Sequence, residues 1–71
     1  MENYLEVIER EMNKQRELVE NDKRFKEQAI DNIKDIRTMI NENYQLDFID
    51  TATWLEAHDM VLKAEKAIRK M

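Results

Sequence analysis

Side chains that commonly perform covalent chemistry are scarce in this 71-residue chain. It contains one histidine, His58, and no cysteine, serine or glycine. Nucleophilic catalysis usually pairs a Ser or Cys with a His base, so the common nucleophile–base arrangements are excluded. Phosphate-cradling loops and EF-hand calcium loops both require glycine. The sequence therefore predicts a protein that is not an enzyme and that needs no cofactor.

His58 is the one side chain from which a metal site could be built. Metal centres in helical bundles often use a Glu-x-x-His pair, but the residue three positions before His58 is Leu55. On a helix, His58 shares a face with Trp54 and Leu62, at i−4 and i+4. An apolar seam at 3-4 spacing follows the same helix: Trp54, Ala57, Val61, Ala64, Ile68 and Met71. We interpret His58 as a boundary residue beside this seam and expect no metal ligation.

Basic residues form one local cluster, near the C-terminus. Lys63, Lys66, Arg69 and Lys70 lie there, with Glu65 among them. The helix dipole favours cations in a last helical turn, which accounts for most of this cluster. Elsewhere acids and bases alternate, and the net charge is −4. Nucleic-acid binding through the cluster is therefore a minor hypothesis, because no basic stripe follows the rest of the chain.

Three aromatic residues lie close together in the sequence: Tyr44, Phe48 and Trp54. Packed inside, they would close one end of a helical bundle. On the surface, they would be anchors of the type enriched in binding hot spots. Both interpretations stay open, and the three residues are a possible partner-binding site.

One apolar stripe at helical spacing runs through residues 4–44 and ends at Tyr44. Its members are Tyr4, Ile8, Met12, Val19, Ala29, Ile30, Ile33, Ile40 and Tyr44. The stripe predicts a helix over about residues 3–42, roughly 60 Å long at 1.5 Å per residue. Asn41 and Asn43 are candidate left-handed caps at its end, and we expect residues 43–50 to form a turn that packs down on the helices. A final helix over about residues 51–70 begins at the N-cap candidate Asp50.

A break near residues 20–23 is the competing interpretation and would give a compact three-helix bundle. Asn21 would then end one helix in a left-handed conformation, and Asp22 would cap the next. The break would place Glu20 at a helix C-terminus and Lys23 and Arg24 at an N-terminus, each opposing the dipole by about 0.3–1 kcal/mol. The charges therefore favour the continuous helix. Polar residues at the inner positions Gln15, Asp22 and Lys26 interrupt the stripe in either case.

The predicted fold is all-α: a helical hairpin of one long helix and one shorter antiparallel helix, coiled-coil-like in packing and forming a dimeric bundle. The short helix covers only half of the long one, so the other half of the stripe would need a second copy of the chain. The predicted self-association residues are Tyr4, Leu5, Ile8, Met12 and Val19.

Composition and elimination predict the broad class of function. No apolar run exceeds three residues, and the Met-Glu-Asn start lacks a signal-peptide pattern, so we expect a cytoplasmic protein without membrane association. Frequent Lys, Asn, Ile, Asp and Glu are typical of an AT-rich bacterium or its phage. The first hypothesis is a non-enzymatic protein-binding module, such as an adaptor, a regulator or a phage-type inhibitor of a larger bacterial protein. The alternative is a self-assembling scaffold element.

Overall fold

Three α-helices form the chain in a computed structural model that describes residues 3–71. They are α1 (Tyr4–Asn21), α2 (Lys26–Gln45) and α3 (Thr51–Arg69), with a 3₁₀ turn, Lys23–Phe25, between the first two. The Asn43 amide donates to the Tyr4 hydroxyl at 2.9 Å, which joins the start of α1 to the end of α2. Consecutive helices are therefore antiparallel, and the three pack as an up-down-up bundle.

The prediction of one continuous helix over residues 3–42 is wrong, because the backbone leaves the helical conformation at Asp22. This residue is extended, with φ −157° and ψ 113°. Its Oδ1 accepts the backbone N–H of Arg24 at 2.9 Å and so caps the 3₁₀ turn. The same carboxylate pairs with the Arg24 guanidinium at 2.7 Å. Asp22 therefore caps a new segment, as the three-helix alternative expects, whereas Asn21 stays helical.

Burial of the apolar stripe outweighs the unfavourable charges at the break. Ile8, Met12 and Val19 are each at most 3% exposed. Burying one such side chain is worth about 1.5–3 kcal/mol, compared with about 0.3–1 kcal/mol for a misplaced charge at a helix end. Arg24, a cation at the start of a helical segment, also has its charge partly neutralised by Asp22.

The predicted self-association surface belongs to the core of a single chain. Three of its five residues are fully buried, and Tyr4 and Leu5 are partly buried against the same cluster. They pack with the inner faces of α2 and α3, whose buried residues are Ala29, Ile30, Ile33, Ile40, Ala57, Val61, Ala64 and Ile68. A dimer was expected because half of the stripe would be uncovered, and the fold removes that reason.

The polar residues that interrupt the stripe each bond at a specific point of the bundle. Gln15 Oε1 accepts from the Asn32 amide at 3.0 Å, across the α1–α2 interface. Lys26 Nζ donates to the Arg69 carbonyl oxygen at 2.7 Å and so gives a hydrogen-bond partner to a carbonyl at the end of α3. Asp22 caps the turn between α1 and α2. These polar positions therefore align the helices within one chain.

The end of α2 is a Schellman motif built without glycine. The Phe48 N–H donates to the Asn43 carbonyl at 2.9 Å, and the Asp47 N–H donates to the Tyr44 carbonyl at 3.1 Å. Asp47 takes the left-handed position, with φ 60°. The expectation that Asn41 or Asn43 occupies this position is wrong, because both lie inside α2.

The third helix agrees with its prediction. The side chain of Asp50 accepts the Thr53 N–H at 2.8 Å, and α3 ends at Arg69. Its buried residues recur every three or four positions, as the seam predicts: Ala57, Val61, Ala64 and Ile68.

Replacing Asp47 with glycine should stabilise the fold. A residue with a Cβ is strained at positive φ, whereas glycine adopts this conformation freely. We expect Asp47→Gly to raise the free energy of unfolding by about 0.5–1 kcal/mol in urea titrations followed by circular dichroism. Asp47→Ala is the control and should give no gain, because alanine keeps the Cβ. A glycine variant less stable than the original chain would contradict the assignment of this turn.

Candidate binding surface at the α2–α3 turn

Among residues 3–71, three large apolar side chains are left in solvent at one end of the bundle. Phe48 is 74% exposed, Leu46 63% and Leu55 55%. Leu46 and Phe48 belong to the connection between α2 and α3, and Leu55 lies in the second turn of α3. We call these three residues the turn surface. They are the candidate site, because they are the most exposed large apolar side chains of the described residues, ahead of Met39 at 42% and Phe25 at 41%.

The Schellman motif explains why Phe48 is exposed. The residue after the left-handed position usually packs against an apolar side chain near the end of the helix. The matching position here is Asn43, whose amide is bonded to the Tyr4 hydroxyl. Phe48 therefore has no apolar partner at that point. Ile49, the next residue, is the one that packs against the core.

An aromatic stack held by two hydrogen bonds lies at the same end. The rings of Tyr44 and Trp54 stack with centroids 5.1 Å apart, and the His58 ring stacks on the Trp54 ring at the same distance. The Trp54 indole N–H donates to Asn41 Oδ1 at 2.9 Å, and the Tyr44 hydroxyl bonds Thr51 Oγ1 at 2.9 Å. These bonds fix both rings in a partly buried position. His58 is at the boundary of the seam, beside Trp54, as predicted.

The structure divides the three aromatic residues predicted as a partner site. Phe48 projects into solvent, whereas Tyr44 and Trp54 are half-buried and stack on each other. The expectation that the connection packs down on the helices holds for Ile49 and fails for Leu46 and Phe48. Leu55 was missed by sequence reasoning. Its one available signal was its place beside Trp54 in sequence and off the seam of α3.

The turn surface lies in an acidic region. No Lys or Arg occurs between Arg37 and Lys63, while that segment carries exposed acids at Glu42, Asp47, Asp50, Glu56 and Asp59. Antiparallel packing also brings the start of α1, with Glu6 and Glu9, to this end. The opposite end holds most of the bases, among them Lys26, Lys66, Arg69 and Lys70. Charge is thus separated along the bundle axis.

Part of the C-terminal basic cluster is paired within α3. Lys63 Nζ lies 2.9 Å from an Asp59 carboxylate oxygen, and the Arg69 guanidinium lies 3.6 Å from Glu65. These i,i+4 pairs reduce the positive field available to a phosphate backbone.

Within residues 3–71, no three His, Asp or Glu side chains converge to hold a metal ion. A groove of about 340 Å³ lies between α1 and α3, with Met12, Met60 and Ala64 among its lining residues. On its rim, Arg16 bonds to Asn13 and Lys63 to Asp59. None of the helices in this part of the chain combines the length and the hydropathy needed to cross a bilayer.

No protein-family model, curated protein or solved structure matches the chain.

The stability of the fold should depend on pH through Asp50, which caps the helix that carries Trp54 and Leu55. Hydrogen bonds from the Thr53 hydroxyl and the Thr53 backbone N–H lower the pKa of Asp50 from its ordinary 3.8. A lowered folded-state pKa stabilises the fold at pH values above 3.8, and this stabilisation is lost as the pH falls through the folded-state pKa. Hydrogen bonds from the side chain and the backbone N–H of Arg24 lower the pKa of Asp22 as well, so Asp22 contributes to the same pH dependence.

Asp50→Asn provides the matched test, because asparagine caps helices well but does not titrate. We expect it to lose less stability than the original chain between pH 7 and about pH 3, measured by urea unfolding. Equal losses in the two proteins would show that the Asp50 carboxylate does not contribute to the acid sensitivity.

Proposed function

We propose that the chain is a small non-enzymatic protein-binding module that uses the turn surface to occupy a site on a larger protein. The observation that carries this proposal is the exposure of Leu46, Phe48 and Leu55 at one end of a bundle whose core is otherwise closed. Apolar residues exposed singly are ordinary, but large ones concentrated at one end are typical of interaction sites.

Rigidity supports the same proposal. The Schellman hydrogen bonds fix the backbone that carries Phe48, and the Asp50 cap fixes the start of α3. Side chains held on a fixed backbone lose little conformational freedom on binding, so more of the contact energy appears as affinity. The stacked rings of Tyr44 and Trp54 also join the end of α2 to the start of α3, on either side of the turn.

A regulator or inhibitor of a bacterial protein is the form of this function that the composition favours. In that role the chain acts by covering a surface, and a bundle of 8.7 kDa is large enough to present one binding face. A scaffold that assembles with itself is the rival within the same class. It would use the same apolar residues toward a second copy.

Site-specific photo-crosslinking tests the proposal and its rival together. A benzoyl-phenylalanine placed at position 48 should trap a partner as a discrete heavier adduct in lysate of a low-GC bacterium. The same probe at position 25 is the matched control, because Phe25 is also exposed, at 41%, but lies at the opposite end. An adduct with the mass of two chains would favour self-assembly. Identical adducts from both positions would contradict a specific turn surface.

A further inference from the structure

We propose that the partner of the turn surface is a basic amphipathic protein segment, with apolar side chains on one face and Lys or Arg beside them. This inference rests on the proposed function and adds the chemistry of the partner. Its basis is the combination of an exposed apolar patch with a local charge of one sign. Apolar contact supplies most of the affinity in such an interface, while complementary charge selects the partner and speeds association.

The charge around the patch is acidic on every element that reaches this end of the bundle. α2 contributes Glu42, the turn contributes Asp47 and the N-cap Asp50, and α3 contributes Glu56, all of them exposed. Glu6 lies in the first turn of α1, next to the end of α2. A partner with positive side chains around its apolar anchors would meet favourable potential from all three helices.

The same charges disfavour other occupants. Two copies that met through their turn surfaces would bring two acidic ends together, at an electrostatic cost. Nucleic acid and anionic lipid surfaces would be repelled for the same reason. A cationic partner also gains from Phe48, because guanidinium and ammonium groups bind favourably over an aromatic face.

A head-to-tail contact between copies is the remaining alternative, because the opposite end of the bundle carries bases. Several of those bases are already bonded within their own chain. Lys26 is held on the Arg69 carbonyl oxygen, Arg24 on Asp22, and Arg69 beside Glu65. Exposed acids at Glu17, Glu20 and Glu27 further reduce the positive charge there. That end is therefore a poor complement to the turn surface.

Selection from a library of random short peptides on the immobilised full chain tests the inference without assuming a sequence. Peptides that also bind Phe48→Ser are discarded. We expect the retained peptides to be net positive and to carry apolar residues. One retained peptide is then titrated by Trp54 fluorescence. Raising the salt from about 0.05 M to about 0.5 M should weaken its binding about tenfold, because exposed charge pairs are screened.

Two matched variants separate local charge from overall charge. Glu56→Lys, next to Leu55 in the sequence and at the same end of the bundle, should weaken binding of that peptide about fivefold, since it reverses a charge near the patch. Glu20→Lys makes the same change in net charge at the opposite end and should alter binding less than about twofold. Phe48→Ser, already used in the selection, should leave the urea midpoint unchanged, so that the peptides it fails to bind report a lost contact and not a lost fold.

Each other outcome overturns the inference in a recognisable way. Neutral or acidic peptides that still require Phe48 would refute the basic partner and leave the proposed function standing. Failure to retain any Phe48-dependent peptide would refute both. Light scattering gives the last test. If the mass of the original chain rises with concentration while Phe48→Ser stays monomeric, the occupant is a second copy and the proposal is overturned.

Discussion

The apolar stripe of α1 must be covered, and the rest of the structure depends on how the chain covers it. A straight helix through residue 42 would leave that stripe in water. The extended backbone at Asp22 turns the chain back, so that α2 and α3 bury Ile8, Met12 and Val19 within one molecule. Seventy-one residues suffice because the three helices have 18, 20 and 19 residues and so match in length.

Polar residues give this small core its alignment. Gln15 and Asn32 bond across α1 and α2, Lys26 bonds to the end of α3, and Trp54 bonds to Asn41 across α2 and α3. A one-turn slip of any helix would break such a bond and leave partly buried polar atoms unpaired, which is costly. The alignment of the helices also determines which side chains stay exposed to solvent. The α2–α3 connection must end at the Asp50 cap, and this leaves Phe48 exposed beside acidic side chains.

The local signals in the sequence predicted most of the fold. The all-α class, the position of α3 and its Asp50 cap follow from periodicity and capping chemistry, which act within a few residues. The sequence predicts the break at Asp22 only as the alternative, because the charges at helix ends can be read from neighbouring residues, whereas the burial that outweighs them depends on how all three helices pack. Asp47 was missed as the left-handed residue, since hydrogen bonds to α2 select that position. Leu55 was missed because exposure depends on where the other two helices lie.

The distance between the start of α1 and the end of α2 tests the central claim most directly. The chain has no cysteine, so spin labels can be attached at Glu6→Cys and Glu42→Cys, both exposed, and measured by pulsed electron paramagnetic resonance. Dilution with unlabelled chain keeps the signal intramolecular. The bundle predicts labels within about 25 Å, since adjacent helix axes lie about 8–10 Å apart. A distance near 54 Å, the span of one continuous helix at about 1.5 Å per residue, would contradict the fold and the turn surface derived from it.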